Sequence, residues 1–187
     1  AYRLLGYILE LVADKPVRDY LAEDLVGPLQ MNDTRLSPRA TGASGMVSSV
    51  TDLTNYMHML IERGSFRGER IIAPSTYLQL FDTPTEKAVC EYAEYRGVAW
   101  RIQTYRNRVL LMNHAALGRG VGGMIQVFPE YKIGFVFLSD PQTYNTEEYL
   151  RFYKSLRARL NSFAALIGDM PIEAGSETPC ALHTVPW

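Results

Sequence analysis

The sequence predicts an α+β protein in which helices pack on the faces of an antiparallel sheet. Residues 1–81 place apolar side chains at the spacing of helical faces, whereas the residues from about 95 to 138 form strand-like runs separated by turn formers. A second long helical stripe then follows. Helices and strands grouped in this way, without regular βαβ alternation, are typical of the α+β class.

Four helices are predicted in the first half of the chain. The first stripe consists of Leu4, Leu5, Ile8, Leu11 and Val12. A second helix begins after Pro16 and stops at Gly27-Pro28, and residues 30–43 are predicted to form a surface loop because turn formers dominate them. Ser49 stands three positions before an acidic residue, a capping pattern that predicts a helix ending at Gly64. Residues 65–70 are predicted to form a turn, and residues 74–81 a short helix.

The second half is predicted to contain two hairpins and a closing helix. Strands at 98–102 and 108–112 flank one turn, and strands at 124–128 and 133–138 flank another. The strand at 133–138 is apolar enough to be predicted as central in the sheet. A cap at Asn145 opens a long helix that ends at Gly168. Residues 169–187 lack periodicity and are predicted to be a loose C-terminal tail.

The composition is that of an ordinary globular protein and does not point to a nucleic-acid or membrane-surface partner. Hydrophobic residues make up 47% and charged residues 21% of the 187 residues, and the formal net charge is −1. This charge provides no electrostatic reason to expect nucleic acid or an anionic membrane surface as a partner. Cys90 and Cys180 are compatible both with one disulfide and with two free thiols, so they leave the compartment open.

Two apparent motifs are rejected on physical grounds. The glycine-rich residues 118–123 precede a strand pattern, whereas a dinucleotide loop needs a helix N-terminus behind it to hold the pyrophosphate. The three histidines, His58, His114 and His183, lack metal-ligand spacing, so no metal site is expected.

Four short segments, in this order, resemble the serine β-lactamase-like hydrolases, a family that includes class C β-lactamases, penicillin-binding DD-peptidases and related esterases. The segment at 2–10 is similar to the family's Y-x-L-L-G-x-I-x-E helix, and 27–34 to its P-L-G-M-x-x-T segment. The segment at 45–53 is similar to G-x-x-S-T-x-x-D-L. His114, Gly120 and Pro129-Glu130 follow the family's H-x-G…G-F…P-E order. Together they cover about residues 2–165.

The resemblance implies the β-lactamase/transpeptidase-like fold, with residues 1–168 as the C-terminal portion of one such domain. It also implies acyl transfer through a serine ester, on a β-lactam, a D-alanyl peptide or a small ester as small-molecule or peptide substrate. No metal or organic cofactor is implied. By analogy with the family, the protein would be periplasmic, secreted or membrane-anchored.

The family's nucleophile motif is missing from this sequence. No Ser-x-x-Lys occurs, and the family's Tyr-x-Asn aligns just before Ala1. Tyr105-Arg106-Asn107 has the right letters but falls between two predicted strands, where it is not expected to function. Since the chain opens inside a predicted helix, we expect it to be part of a longer polypeptide.

The third family motif, which borders the cleft, is represented by His114. The resemblance implies a polar, catalytic role for this side chain, and it implies substrate-binding positions at Ala116, Leu117 and Gly120, with the Leu117 backbone N–H as the oxyanion donor. Ala116 stands where the family has glycine, so we expect its methyl group to narrow the cleft or tilt the strand.

Two alternatives remain beside the serine hydrolase. Ala116 favours a non-catalytic relative that serves as a binding or scaffold domain. A small domain unrelated to hydrolases is the other. If N-terminal elements of the family fold are absent, apolar surface is left uncovered, and we expect self-association through it.

Overall fold

The computed structural model describes residues 1–80, 92–105, 108–118, 121–140, 147–168 and 180–181. The chain divides into two compact units, Ala1–Ile72 and Ala73–Trp187. Helices and antiparallel strands are combined as expected, and the predicted α+β class is confirmed.

The first unit contains three helices and two small hairpins. Its elements are α1 (Tyr2–Ala13), α2 (Val17–Leu21, continued by a π-helical turn at Ala22–Val26), β1 (Arg35–Thr41), β2 (Ser44–Val47), α3 (Val50–Ile61), β3 (Ser65–Phe66) and β4 (Glu69–Arg70). The Ser49 hydroxyl accepts a hydrogen bond from the Asp52 backbone N–H at 3.1 Å, so the predicted cap of α3 is confirmed.

The surface loop predicted at 30–43 is wrong, because most of it forms the antiparallel β1–β2 hairpin. Residues typical of turns are frequent in this segment, so its sequence does not indicate strands. Pro38 lies within β1, and proline is tolerated in a strand only at an edge or a bulge. The pairing is irregular between Leu36 and Thr41, so the hairpin lacks the alternation that a sequence pattern needs. The turn predicted at 65–70 likewise contains the short strands β3 and β4.

Two glycines allow α1 and the tip of the β1–β2 hairpin to approach closely. A Cβ at Gly6 would lie 2.6 Å from the backbone nitrogen of Gly42, and a Cβ at Gly42 would lie 2.3 Å from the carbonyl oxygen of Tyr2. No real side chain fits at these distances. Gly6 is also the buried residue of α1. The glycine of the first family-like segment is therefore explained by backbone packing.

The second unit contains a short helix, a mixed sheet and a long helix. Its elements are α4 (Pro74–Gln79), β5 (Tyr92–Arg96), β6 (Arg101–Tyr105), β7 (Arg108–Gly118), β8 (Val121–Phe128), a 3-10 turn (Pro129–Tyr131), β9 (Ile133–Ser139), α5 (Glu147–Gly168) and β10 (Cys180–Ala181). The strand order is β10-β5-β6-β7-β8-β9, and every pair is antiparallel except β10–β5. The strand predicted at 124–128 lies within β8, which begins three residues earlier at Val121.

Helix α5 packs on one face of this sheet. Phe135 and Phe137 of β9 contact aromatic rings of α5 at centroid distances of 6.2 and 6.1 Å. A bulge in the β6–β7 pairing lets both Leu110 and Leu111 enter the core beside Ala164 of α5. The face of the sheet that carries residues 111, 113 and 115 is thus the face that α5 covers.

Two strand predictions need correction. The strand predicted at 98–102 begins at Arg101, because residues 97–100 connect β5 to β6. In the sheet of the described residues β9 is outermost, so the prediction that it is central is wrong. An apolar run shows that a strand is covered by something, but it does not distinguish neighbouring strands from a helix such as α5.

Other predictions lie largely outside the described residues. These are the cap at Asn145, most of the tail at 169–187, and Cys90. Within the tail only Cys180–Ala181 is described, as β10. None of the described helices combines the length and apolar character required to cross a bilayer.

Candidate active site

The far half of β7 has an open edge. β6 pairs with β7 only as far as Asn113, opposite Arg101, whereas β8 pairs with it through to Gly118. Among the described residues, no strand pairs with the other edge of 114–118. Along such an edge, alternate residues direct the backbone N–H and C=O away from the neighbouring strand. Within the described part of the chain, this half of β7 therefore presents backbone donors and acceptors that no strand pairs.

His114 and Ala116 lie on the face of the sheet opposite α5. Ala115 pairs with Met124, which pairs with Phe137, and Phe137 contacts α5. Since side chains alternate along a strand, the residues on either side of Ala115 point to the other face. Both are exposed to solvent. The structure thus places these two predicted site residues side by side at the open edge.

The His114 ring is held by two contacts from residues 97–100. Its Nδ1 lies 2.7 Å from the carbonyl oxygen of Ala99. The Trp100 ring meets it edge-on, with centroids 6.1 Å apart and planes at 74°. Trp100 is itself only 6% exposed. A buried aromatic ring and a main-chain carbonyl therefore orient an imidazole that remains accessible to solvent.

Gly97, Val98, Ala99 and Trp100 form the connection between β5 and β6, called the 97–100 turn below. The Gly97 N–H donates to the Trp100 carbonyl at 2.9 Å, which closes the turn. Ala99 has a φ of 64°, a left-handed conformation that alanine rarely adopts. A Cβ at Gly97 would lie 2.6 Å from Cδ1 of Ile102. The turn is a tight one, and it holds the Ala99 carbonyl in place.

Sequence reasoning missed the role of the 97–100 turn because it assigned residues 98–100 to a strand. Gly97, three residues before an aromatic side chain, was the available signal for a turn. No local pattern relates Ala99 to a histidine 15 positions later.

Ala116 does not disturb the strand. The β7–β8 register runs from Met112 to Gly118 without a shift, and Ala116 pairs with Gly123. Gly123 has no side chain, and a Cβ there would lie 3.2 Å from Cδ2 of Leu138. The pairing of β7 with β8 is therefore regular through Ala116, and the extra methyl group stands opposite a glycine.

The remaining predicted site residues are only partly described. The backbone of Leu117 continues β7 opposite Gly122. Gly120 and the Arg106-Asn107 dipeptide lie outside the described residues. Tyr105 ends β6 and pairs with Arg108, which starts β7. In the described part of the chain, no three His, Cys, Asp or Glu side chains are grouped so that they could hold a metal ion.

A buried carboxylate in the first unit joins two of the family-like segments. Asp52, which is 2% exposed, accepts hydrogen bonds from the Asp33 N–H at 2.9 Å and the Thr34 hydroxyl at 2.7 Å. Because Thr34 uses its proton for Asp52, Ser48 must donate the 2.8 Å hydrogen bond between the two hydroxyls. The Asp52 carboxylate therefore joins residues 33–34 to the first turn of α3, and we interpret the cluster as structural.

The sequence profile of the Beta-lactamase family matches residues 1–158. No curated protein is similar enough to count as a match.

Three solved structures resemble this fold. The octameric penicillin-binding protein homologue from Pyrococcus abyssi is 22% identical, with a TM-score of 0.63 over 89% of this chain and 43% of that one. The penicillin binding protein from Bacillus halodurans is 12% identical, with a TM-score of 0.62 over 83% and 53%. The β-lactamase/D-alanine carboxypeptidase from Yersinia pestis, complexed with citrate, is 19% identical, with a TM-score of 0.58 over 85% and 53%. The chain spans about half the length of these structures.

Proposed function

This chain belongs to the beta-lactamase family, and we propose that it forms part of a serine hydrolase that acts by acyl transfer, with its nucleophile outside these 187 residues. The observation that carries the proposal is the open edge of β7, which bears an accessible histidine oriented by the 97–100 turn. A serine hydroxyl needs a base and an oxyanion site to become an acylating nucleophile. The β7 edge is suited to form one wall of such a site.

Each group at this edge has a proposed task. His114 supplies the polar side chain beside the reacting centre. The backbone N–H of Leu117 is the oxyanion donor, since a fixed dipole at the rim of a strand stabilises developing negative charge without reorganising. Ala116 and Gly120 border the substrate. The substrate is a β-lactam, a D-alanyl peptide or a small ester.

The first test uses the 187-residue chain with nitrocefin and a short-chain nitrophenyl ester. We expect no turnover above the buffer rate, because no Ser-x-x-Lys is present to supply an activated hydroxyl. Turnover by this chain would show that the nucleophile lies within it and would contradict the proposal.

The second test uses the polypeptide that the complete reading frame encodes. We expect Tyr-x-Asn directly before Ala1, Ser-x-x-Lys some tens of residues earlier, and hydrolysis of at least one of the two substrates. There His114→Ala is expected to lower kcat/KM by about 10²–10³-fold. His58→Ala, which removes an exposed histidine of α3, is the matched control and should leave kcat/KM unchanged.

Ala116 supports a second candidate, a non-catalytic relative used for binding or as a scaffold. Its methyl group is exposed on the face that carries His114. A reading frame that encodes neither motif would favour this candidate over the hydrolase, and so would a complete polypeptide that binds the substrates without turning them over.

We also propose that the chain self-associates through α1. Leu4, Leu5, Leu11 and Val12 are 56–80% exposed, and an apolar surface of this kind is unfavourable in water. Light scattering during size exclusion is expected to show species larger than 21.1 kDa. A monomer that melts sharply and reversibly would contradict this.

A further inference from the structure

We infer that the 97–100 turn sets the tautomer of His114, so that Nδ1 carries the proton and Nε2 is left to accept one. The use of Nε2 in acyl transfer rests on the proposed function, whereas the tautomer itself does not. The Ala99 main chain would then be a positioning group for the site.

The chemistry of the Ala99 contact determines the direction of the hydrogen bond. A carbonyl oxygen only accepts, so at 2.7 Å the ring nitrogen Nδ1 must donate. A neutral imidazole has one N–H, and the hydrogen bond made by one nitrogen decides the state of the other. Nε2 of the neutral ring therefore carries a lone pair. When the ring takes up a proton, Nε2 becomes a second donor and the bond to Ala99 is kept.

The backbone of the 97–100 turn keeps the Ala99 carbonyl oxygen next to Nδ1, and this disfavours the tautomer that has its proton on Nε2. Ala99 remains at a φ of 64° because the Gly97–Trp100 hydrogen bond closes the turn around it. Strained backbone of this kind persists only where its surroundings impose it. Trp100, buried and packed against the imidazole, limits rotation of the ring.

The orientation has a consequence at the open edge. With Nδ1 engaged, the ring presents a hydrogen-bond acceptor when neutral and a donor when protonated. A lysine at the same position would offer donors alone when charged. His114 can therefore accept a proton at Nε2 while Nδ1 keeps its hydrogen bond to the Ala99 carbonyl oxygen.

The test is a long-range ¹H–¹⁵N spectrum of the full 187-residue chain labelled with [¹⁵N]histidine, recorded in alkaline solution so that the rings are neutral. His114→Gln identifies the His114 signals. We expect the Nδ1–H form of His114 in about tenfold excess, the ratio expected when one tautomer keeps a hydrogen bond that the other loses. An excess of the Nε2–H form, or equal amounts of the two, would overturn the inference.

Two variants at Ala99 test the turn. Ala99→Pro cannot adopt a positive φ and should abolish the excess. Ala99→Gly adopts the same conformation without strain and should retain it. Equal ratios in the two variants, with native circular dichroism in both, would contradict the assignment to the turn. If the proline variant does not fold, the wild-type spectrum still decides the tautomer. That spectrum needs no turnover, so an inactive complete polypeptide would overturn the proposed function and leave this inference standing.

Discussion

Removing the buried Asp52 carboxylate is expected to destabilise the first unit strongly. Asp52→Ala deletes the acceptor of two hydrogen bonds and leaves the Asp33 N–H and the Thr34 hydroxyl without it. A hydrogen bond to a charged group contributes about 1.5–3 kcal/mol, and a buried donor left unpaired costs a similar amount. Some water will reach the vacated space, so we expect a loss of about 3–5 kcal/mol rather than the full sum.

The matched control is Asp33→Ala. Asp33 is exposed, and it contacts Asp52 through its backbone N–H alone, which alanine retains. Its unfolding free energy should stay within about 0.5 kcal/mol of wild type. Comparison of the two variants separates the loss of a buried acceptor from the loss of a negative charge in this part of the chain.

A double-mutant cycle of Asp52→Ala and Thr34→Val measures the pair itself, because alanine removes the acceptor and valine the donor. The expected coupling is about 1.5–3 kcal/mol, the range for a hydrogen bond to an ionised group. Urea denaturation should be followed by far-UV circular dichroism, because Trp100 and Trp187 both lie outside the first unit. Hydrogen exchange of α3 amides locates the effect. The structural role of the Asp52 cluster would be refuted if the Asp52→Ala variant proved as stable as the Asp33→Ala variant, or if the coupling energy were near zero.

Three further changes test other contacts by urea denaturation. Gly6→Ala should lower the free energy of unfolding by about 1–2 kcal/mol, because overpacking against Gly42 exceeds the gain in helix propensity of about 1 kcal/mol. Val12→Ala, at an exposed position of the same helix, is the control and should change the free energy of unfolding little. A Gly6→Ala variant more stable than wild type would contradict this. Glu10→Ala should lose about 1 kcal/mol, since its carboxylate accepts the first N–H of α2 at 3.0 Å, and an unchanged midpoint would argue against that cap. Burial raises the pKa of Tyr56 to about 12, so the stability from its neutral phenol is complete below pH ~10 and disappears as the pH rises through 12. Between pH ~9 and ~11.5, wild type should therefore lose roughly 2 kcal/mol more than Tyr56→Phe, and parallel losses would count against it.

Much of the fold could be predicted because it rests on local chemistry. The stripe at Leu4–Val12 and the Ser49 cap each involve residues within one or two helical turns, so spacing alone identified α1 and α3. The β8–β9 hairpin joins strands that are close in sequence. His114 was selected from the family resemblance, and the structure places it, exposed, at an open strand edge.

The roles of the family-like segments followed from contacts that sequence spacing does not contain. Gly6 is needed because Gly42, 36 residues later, approaches its backbone closely. The Thr34 hydroxyl donates to the Asp52 carboxylate, 18 residues later. Gln30 stands where the family has glycine, and its φ is 53°. Glycine suits this position because it adopts a left-handed backbone conformation easily, which is a requirement of local folding and not of the candidate active site.

The sequence by itself established the class of fold and the positions of the long helices, because periodicity and capping act over a few residues. The choice of His114 came from the family resemblance of its segment. The open edge of β7, the Ala99 carbonyl at the imidazole and the burial of Asp52 emerged only from the folded chain. Each depends on strand register or on a close approach between distant residues. One position of slip in a strand exchanges its two faces, and no local pattern specifies register across a turn.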